Sequence, residues 1–263
     1  MKIAVSGATG RMGKLIIETV LNSDDIELVA AVTAPGVAEI GTDAGASLGK
    51  TTGVEITDDV QELAKADVLI DFTRPQATLA YLPFCIEHNV GIVIGTTGFD
   101  AQGKAQIAEA AKNVPVVFAP NMSVGVNSVL KLLEIAGAML SQYDCEIVEM
   151  HHKHKVDGPS GTALEMGRRV ALGRGVEFDS VALLSREGHT GERPDGAIGF
   201  AALRGGDVVG DHTVIFAGPG ERIEISHKSG SRAGYAQGAV TAARFLKDKS
   251  NGLFSMSDVL GFN

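Results

Sequence analysis

The chain has 263 residues, 44% hydrophobic and 21% charged, which bounds it to a globular protein of one large domain or two smaller ones. A formal net charge of −9 argues against a phosphate-backbone partner, which needs concentrated Lys and Arg. Two cysteines, Cys85 and Cys145, make no disulfide framework and have no metal spacing; with no secretory signal and no apolar run long enough to span a membrane, the expectation is a cytoplasmic protein without nucleic-acid or membrane partners.

Residues 2–6 are a short apolar run bounded by glycine, which predicts a buried strand. Gly7, Ala8, Thr9, Gly10, Arg11, Met12 and Gly13 follow at once. Met12, Leu15, Ile16, Thr19 and Val20 then fall at helical spacing, so a helix opens in the glycine turn. Strand, glycine loop and helix are the context a dinucleotide fingerprint needs: the glycines permit a tight turn and let a pyrophosphate approach the helix N-terminus. The spacing is G-x-x-G-x-x-G rather than G-x-G-x-x-G, so the context carries more weight than the motif. Residues 26–33 are the second strand. Its end is where an acid would hold an adenosine ribose or an arginine a 2′-phosphate; here stand Thr33, Ala34 and Pro35. Arg11 is placed either to approach a 2′-phosphate or to sit as a solvated helix charge, and the choice of dinucleotide stays open.

Residues 36–53, rich in glycine, predict a loop. A short helix over 60–66 precedes a buried strand over 68–72, which Thr73-Arg74-Pro75 breaks. There follow a helix over 76–88, a strand over 91–95 ending in Gly95-Thr96-Thr97-Gly98, a helix over 101–112, and a strand over 115–119 with the turn Pro120-Asn121. Strands alternating with helices predict an α/β fold with a parallel, doubly wound sheet. In such sheets the ligand sits beyond the C-terminal strand ends. Gly7, Arg74, Gly95, Thr96, Thr97, Ala119, Pro120 and Asn121 all fall at such ends. A plain turn explains any one of them, but a shared ligand better explains all of them on one edge.

After Asn121 the pattern changes. Val126, Val129, Leu130, Leu133 and Leu140 line one face of a helix. Residues 146–151 read as a strand entering the segment Glu149-Met150-His151-His152-Lys153-His154-Lys155-Val156-Asp157-Gly158-Pro159-Ser160-Gly161-Thr162-Ala163. Its histidines exchange protons near neutral pH, its lysines bring positive charge, and the helix start after the turn at 157–159 offers free N–H groups. These are parts of a pocket that binds a small carboxylate and delivers a proton. His151 and His152 are adjacent, so a regular strand would point them to opposite faces; both meet one ligand only where the backbone bends. The cluster lacks acidic or cysteine companions at ligand spacing, so no metal is expected. His154 and His212 read as structural, and the two cysteines as core thiols. A helix over 162–172 follows, then strand-like runs over 180–185, 197–203, 208–216 and 221–227 without intervening helices, an α+β pattern. Oligomerisation through that sheet is expected. A last helix over 235–247 returns to the first domain, and the residues from 250 dock there.

Taken together these segments resemble the dihydrodipicolinate reductase family, nearly end to end. The resemblance is carried by Gly7 to Gly13, Asp71-Phe72-Thr73-Arg74-Pro75, Gly95-Thr96-Thr97-Gly98-Phe99, Ala119-Pro120-Asn121-Met122-Ser123, Glu149 to Ala163, Arg186-Glu187-Gly188-His189-Thr190-Gly191 and Gly210-Asp211-His212-Thr213-Val214. It implies a Rossmann-like dinucleotide-binding domain (residues 1–122), a substrate-binding and oligomerisation domain (123–231), a C-terminal helix and tail (232–263) rejoining the first domain, and a homotetramer. The implied reaction is NADH- or NADPH-dependent reduction of 4-hydroxy-tetrahydrodipicolinate, by way of dihydrodipicolinate, to tetrahydrodipicolinate in lysine and diaminopimelate biosynthesis. By the same resemblance His151 is the proton donor and Lys155 the second catalytic residue. His152, Gly161, Thr162 and Arg232 match substrate-carboxylate contacts, with Ser160 at the same helix start. Gly7, Ala8, Thr9, Gly10, Arg11, Met12, Gly95, Thr96, Thr97, Ala119, Pro120, Asn121 and Met122 match cofactor contacts, with Thr33 and Arg74 at neighbouring strand ends. Many members carry an acid–arginine pair after the second strand; Thr33-Ala34 departs from it, which puts strong selectivity between NADH and NADPH in doubt. Two other functions suit such a fold. A non-catalytic dinucleotide sensor has no need of His-His-x-x-Lys, and a dehydrogenase of another small acid, of the semialdehyde type, needs an activated cysteine.

Overall fold

The computed structural model describes residues 1–262. In chain order it contains β1 (Lys2–Ser6), α1 (Arg11–Leu21), β2 (Glu27–Val32), β3 (Ile56–Thr57), β4 (Val68–Asp71), α2 (Pro75–His88), β5 (Gly91–Ile94), α3 (Ala101–Ala110), β6 (Pro115–Phe118) and α4 (Val124–Met139). There follow β7 (Asp144–His151), α5 (Gly161–Arg174), α6 (Phe178–Val181), β8 (Ala182–Leu183), β9 (Ile198–Arg204), β10 (Gly210–Gly218), β11 (Glu221–Ser229), α7 (Ala233–Leu246), β12 (Gly252–Phe254) and α8 (Met256–Val259). The chain forms two compact units: Met1–Val124 with the residues from Arg232 onward, and Gly125–Ser231.

The first unit is a doubly wound α/β structure around a seven-stranded parallel sheet in the order β12-β6-β5-β4-β1-β2-β3. Both faces are covered, so its strands read as unbroken apolar runs. Ile3 and Val5 face a core shared with Ile16, Ile17 and Val20 of α1 and Ala236, Ala239, Val240 and Ala243 of α7. Those α7 positions recur at helical spacing, which is how a helix more than a hundred residues away in sequence completes this layer. On the other face Ala4, Leu69, Ile92 and Val116 pack with Leu82 and Cys85 of α2 and Ile107 of α3. Two short strands carry no sequence signal: β3 at one edge and β12 at the other have three residues or fewer, too few for periodicity to show.

Ser6, Asp71, Ile94 and Phe118 stand in register across four neighbouring strands, with Val32 beside Ser6. The strand ends therefore form one edge, and the strand order reverses at β1, the position where open α/β sheets bind ligands. Asp71 anchors this edge. It is fully buried and accepts from the hydroxyls of Ser6 (2.5 Å), Thr73 (2.7 Å), Thr96 (3.0 Å) and Thr78. Thr96 Oγ1 in turn accepts from Thr73 N–H at 2.8 Å, so one carboxylate ties the ends of β1, β4 and β5 to the start of α2. Burial and the Asp71 charge push the Cys85 thiol up to about 12.

The second unit is α+β, with a mixed sheet in the order β11-β10-β7-β9-β8. β10 runs antiparallel to β11 and β7, while β7, β9 and β8 are parallel. Val126, Val129, Leu130 and Leu133 of α4 and Ala163, Met166 and Val170 of α5 cover one face, against Cys145, Ile147, Ile198, Phe200, Val214 and Phe216. Residues 180–185 do not form the expected strand. Ser180 bonds back to Glu177 O through both its N–H and its hydroxyl, closing the turn of α6 and leaving two residues for β8.

Asp71→Ala leaves four hydroxyls at the strand edge without their acceptor. Urea unfolding at neutral pH should show a loss of about 3 kcal/mol, the scale for buried donors left unpaired. A change under about 0.5 kcal/mol would mean that water or relaxation replaces the carboxylate.

Candidate active site

At the strand edge of the first unit, Gly7 has φ +63° and Gly13 has no room for a side chain: a Cβ there would lie 2.1 Å from Gly7 O. Only glycine closes this turn. Gly10 at the N-cap of α1 has no side chain to offer the helix, and no acid lies in the first turn, so the N–H groups at this terminus face outward with the positive end of the helix dipole. Ala8 is buried, with its N–H donating to Val32 O at 3.1 Å. The hydroxyls of Thr9 and Thr33 are hydrogen bonded at 2.9 Å, tying the glycine loop to the end of β2. Next along the edge, Gly95 donates to Asp71 O and its Cα faces the Phe72 ring so closely that a Cβ would fall 2.3 Å from it. Thr97 is exposed, and Arg74 is exposed at the N-cap of α2. Ala119 donates to Ile94 O, Pro120 is exposed, Asn121 Oδ1 accepts from Ser123 N–H at 2.9 Å, and Met122 is buried. Backbone N–H groups and small side chains thus line an edge suited to a dinucleotide.

The second unit holds the histidine segment. β7 alternates strictly, so Cys145, Ile147, Glu149 and His151 share the face that meets the core. His151 is buried and Glu149 is 1% exposed. Glu149 Oε2 lies 2.6 Å from His151 Nδ1 and 2.8 Å from Arg204 Nη1; Oε1 lies 2.9 Å from Arg204 Nη2 and 3.1 Å from Ser160 N. Burial pushes the Glu149 carboxyl up, but the hydrogen bonds from Arg204 and His151 outweigh it and hold it below the usual carboxylate range. β7 ends at His151 and the backbone turns: His152 N–H donates to Val208 O, and Lys155 N–H donates to His152 O. His152 Nδ1 accepts from His154 N–H at 3.2 Å. Lys155 Nζ reaches Asp157 Oδ1 at 2.6 Å, a pair that lowers the Asp157 carboxyl.

Ser160 caps α5, its Oγ accepting from Ala163 N–H at 3.1 Å and lying 2.9 Å from His212 Nε2. Its N–H and hydroxyl are therefore committed inside the protein. The first helical amides, those of Gly161 and Thr162, remain at the positive end of a 14-residue helix, with open space around Gly161.

Residues 1–122 match the family described as dihydrodipicolinate reductase, N-terminus, and residues 125–260 match dihydrodipicolinate reductase, C-terminus. The chain belongs to the dihydrodipicolinate reductase family. It is 60% identical over 263 residues to the 4-hydroxy-tetrahydrodipicolinate reductase of Cupriavidus metallidurans, covering 99% of each chain. It is 58% identical over 261 residues to that of Bordetella pertussis, covering 99% of this chain and 97% of the relative. Its structure is similar to the dipicolinate-bound dihydrodipicolinate reductase of Paenisporosarcina sp. TG-14, with a TM-score of 0.77, 25% identity and 97% of each chain covered. A probable dehydrogenase from Thermotoga maritima, at 14% identity and a TM-score of 0.62, shares the fold alone.

For a member of the dihydrodipicolinate reductase family, the structure gathers Gly7, Thr9, Thr33, Gly95, Thr96 and Ala119 along one edge of the first unit, and His151, His152, Lys155, Ser160, Gly161 and Thr162 around one end of β7 in the second. Arg232 is exposed at the N-cap of α7, in the first unit. Sequence reading named Glu149 and Asp71 only within longer segments, with no role for either, and did not single out Arg204. A signal existed for Glu149: it sits two residues before His151 in register with Cys145 and Ile147, where an outward-facing acid would not be. Arg204 lies 55 residues from its partner and left no trace.

His212 is buried beside His151, with ring centroids 5.1 Å apart and edge-to-face. Burial, then the neighbouring charge of His151, pushes it down from 6.5 to about 4. Between those values the unfolded chain binds the proton that the folded ring refuses, so this group makes stability rise with pH across that window. The depression corresponds to about 3 kcal/mol. Urea-unfolding free energy measured from pH 4 to 6.5 should climb more steeply in the wild type than in His212→Asn, with a difference of about 3 kcal/mol over the window. Parallel curves would contradict this role.

Proposed function

We propose that the chain catalyses NADH- or NADPH-dependent reduction of 4-hydroxy-tetrahydrodipicolinate, by way of dihydrodipicolinate, to tetrahydrodipicolinate in lysine and diaminopimelate biosynthesis. The observation that carries this reading is 60% identity to a 4-hydroxy-tetrahydrodipicolinate reductase along the whole chain. The domain assignment follows: residues 1–122 bind the dinucleotide, 123–231 bind substrate and mediate assembly, and the segment from 232 rejoins the first domain.

Gly7 to Met12 would hold the pyrophosphate on the α1 N-terminus, with Thr33, Arg74, Gly95 to Thr97 and Ala119 to Met122 along the rest of the cofactor. When bound, the reduced nicotinamide supplies a hydride. The substrate loses water to give a conjugated imine; addition of hydride leaves an enamine, which must take a proton on carbon. His151, held by Glu149, donates that proton as a general acid. Lys155 is the second catalytic residue, and with the amides of Gly161 and Thr162 it binds one substrate carboxylate; Ser160 shapes that helix start. His152 binds the other carboxylate. A semialdehyde-type mechanism is disfavoured by the thiols: burial pushes Cys85 and Cys145 to about 12, far from a nucleophilic thiolate. A dinucleotide sensor would gain nothing from a buried carboxylate–imidazole pair.

No helix among the described residues is long and apolar enough to cross a membrane. We place the enzyme in the cytoplasm, where two free, buried thiols persist without pairing. Homotetramer assembly is assigned to the outer sheet face, where Val148, Ala201, Leu203 and Ile215 stand together by register and Leu203 is 49% exposed. Sedimentation equilibrium should return four times the mass of the 27.3 kDa chain; a monomer would remove this assignment.

The function is tested by a coupled assay in which a synthase generates the substrate from aspartate semialdehyde and pyruvate, with NADH and NADPH in parallel. Absorbance should fall only with both proteins present, and the two kcat/KM values should differ by less than about 10³, because neither an acid nor an arginine follows β2. His151→Gln should lower kcat by roughly 10²-fold with KM less changed. Lys155→Ala should damage both parameters. Turnover at the wild-type rate in His151→Gln would remove the donor assignment, and cofactor binding without turnover by the wild type would remove the reaction.

A further inference from the structure

Two imidazoles lie buried side by side in the second unit, and only one has a carboxylate. His212 Nε2 lies 2.9 Å from Ser160 Oγ, whose lone pair already receives Ala163 N–H. The Ser160 hydroxyl keeps a second lone pair, so either group can be the donor in this contact. Among the described residues, His212 Nδ1 has no hydrogen-bond partner. His151 is held differently. Its Nδ1 is 2.6 Å from Glu149 Oε2, an oxygen that Arg204 also reaches at 2.8 Å. The second oxygen receives Arg204 Nη2 and Ser160 N–H. Four donors converge on one buried carboxyl group, two of them from one guanidinium in the two-point geometry that suits an ionised partner.

An ionised carboxylate can only accept hydrogen bonds. His151 Nδ1 must then carry hydrogen whether the ring is neutral or charged, and the variable proton is confined to Nε2. That atom lies on the side of Gly210, where a Cβ would come within 3.0 Å of it, so a side chain at 210 would crowd the exchanging nitrogen. The titratable and charged groups around the ring are Glu149 on its own strand, Arg204 at the end of β9, His212 on β10, and Lys155 in the turn after β7.

We propose that Glu149, clamped by Arg204 and Ser160 N–H, is a positioning residue that fixes the His151 tautomer and makes Nε2 the proton-delivering atom. The proposal rests on the assignment of His151 as proton donor. It extends that assignment to a residue two positions earlier and to an arginine on another strand. Glu149 does not touch substrate; it acts through the imidazole. Gln at position 149 cannot do the same. Its single oxygen is claimed by Arg204 and Ser160 N–H, which turns its amino group toward His151 Nδ1 and selects the opposite tautomer.

The test is ring nitrogen–proton NMR on the full chain labelled at histidine, without cofactor, with the His151 signals identified by their loss in His151→Gln. The wild type should show hydrogen on Nδ1 and none on Nε2 in the neutral ring. Glu149→Gln should shift the ring toward hydrogen on Nε2 and lower kcat about 10- to 100-fold with KM changed less than about threefold, the scale for losing an orienting partner. Arg204→Lys keeps a cation beside Glu149 and should retain the wild-type tautomer. A wild-type ring with hydrogen on Nε2, or Glu149→Gln with unchanged tautomer and kcat, would overturn the proposal. The assigned wild-type spectrum decides without a Glu149 variant, so a Glu149 variant that fails to fold does not block the test. Wild-type kcat in His151→Gln would instead remove the donor assignment, while the tautomer measurement still reports whether Glu149 holds the ring.

Discussion

Glu149 carries a charge where water does not reach, and the second unit is arranged to make that tolerable. A buried carboxylate without partners costs several kcal/mol. Here the partners come from three places: Arg204 from the end of β9, His151 from the same strand, and Ser160 N–H from the start of α5. Satisfying the charge therefore fixes the relation of β7, β9 and α5 to one another. The same act holds an imidazole at the end of β7 and aims a helix N-terminus beside it. The proposed proton donor and the proposed anion site both depend on one buried acid.

The first unit solves a related problem with neutral donors. Asp71 meets four hydroxyls instead of an arginine, and through them it locks the ends of β1, β4 and β5 at one level. A flat, rigid edge lets backbone amides from several strands address one extended ligand. Gly7 adds a turn at φ +63°, and Gly13 lets the chain pass where a side chain would strike backbone. Family membership and the edge geometry point to the same dinucleotide chemistry by separate routes.

Much of this was legible in the amino-acid order. The alternation of strands and helices through residue 119 gave the parallel sheet, because buried strands and amphipathic helices leave different periodicities. His151, His152 and Lys155 stood out by density alone. What escaped were features without local signal. β3 and β12 are too short to show a pattern, and α6 replaces a strand because two hydrogen bonds from Ser180 to Glu177 close a turn that composition does not reveal. Ser160 reads as a carboxylate contact in sequence, yet its polar groups are engaged with Ala163, His212 and Glu149. His212 reads as structural; its contact with His151 depends on the antiparallel pairing of β10 with β7, which no spacing encodes.

The most direct measurement is a crystal structure of the chain with dipicolinate and reduced cofactor soaked together. The account predicts His151 Nε2 facing the ligand ring, Nδ1 still on Glu149, and one ligand carboxylate on the amides of Gly161 and Thr162. A ligand bound elsewhere, or a His151 ring turned so that Nε2 meets Glu149, would contradict it.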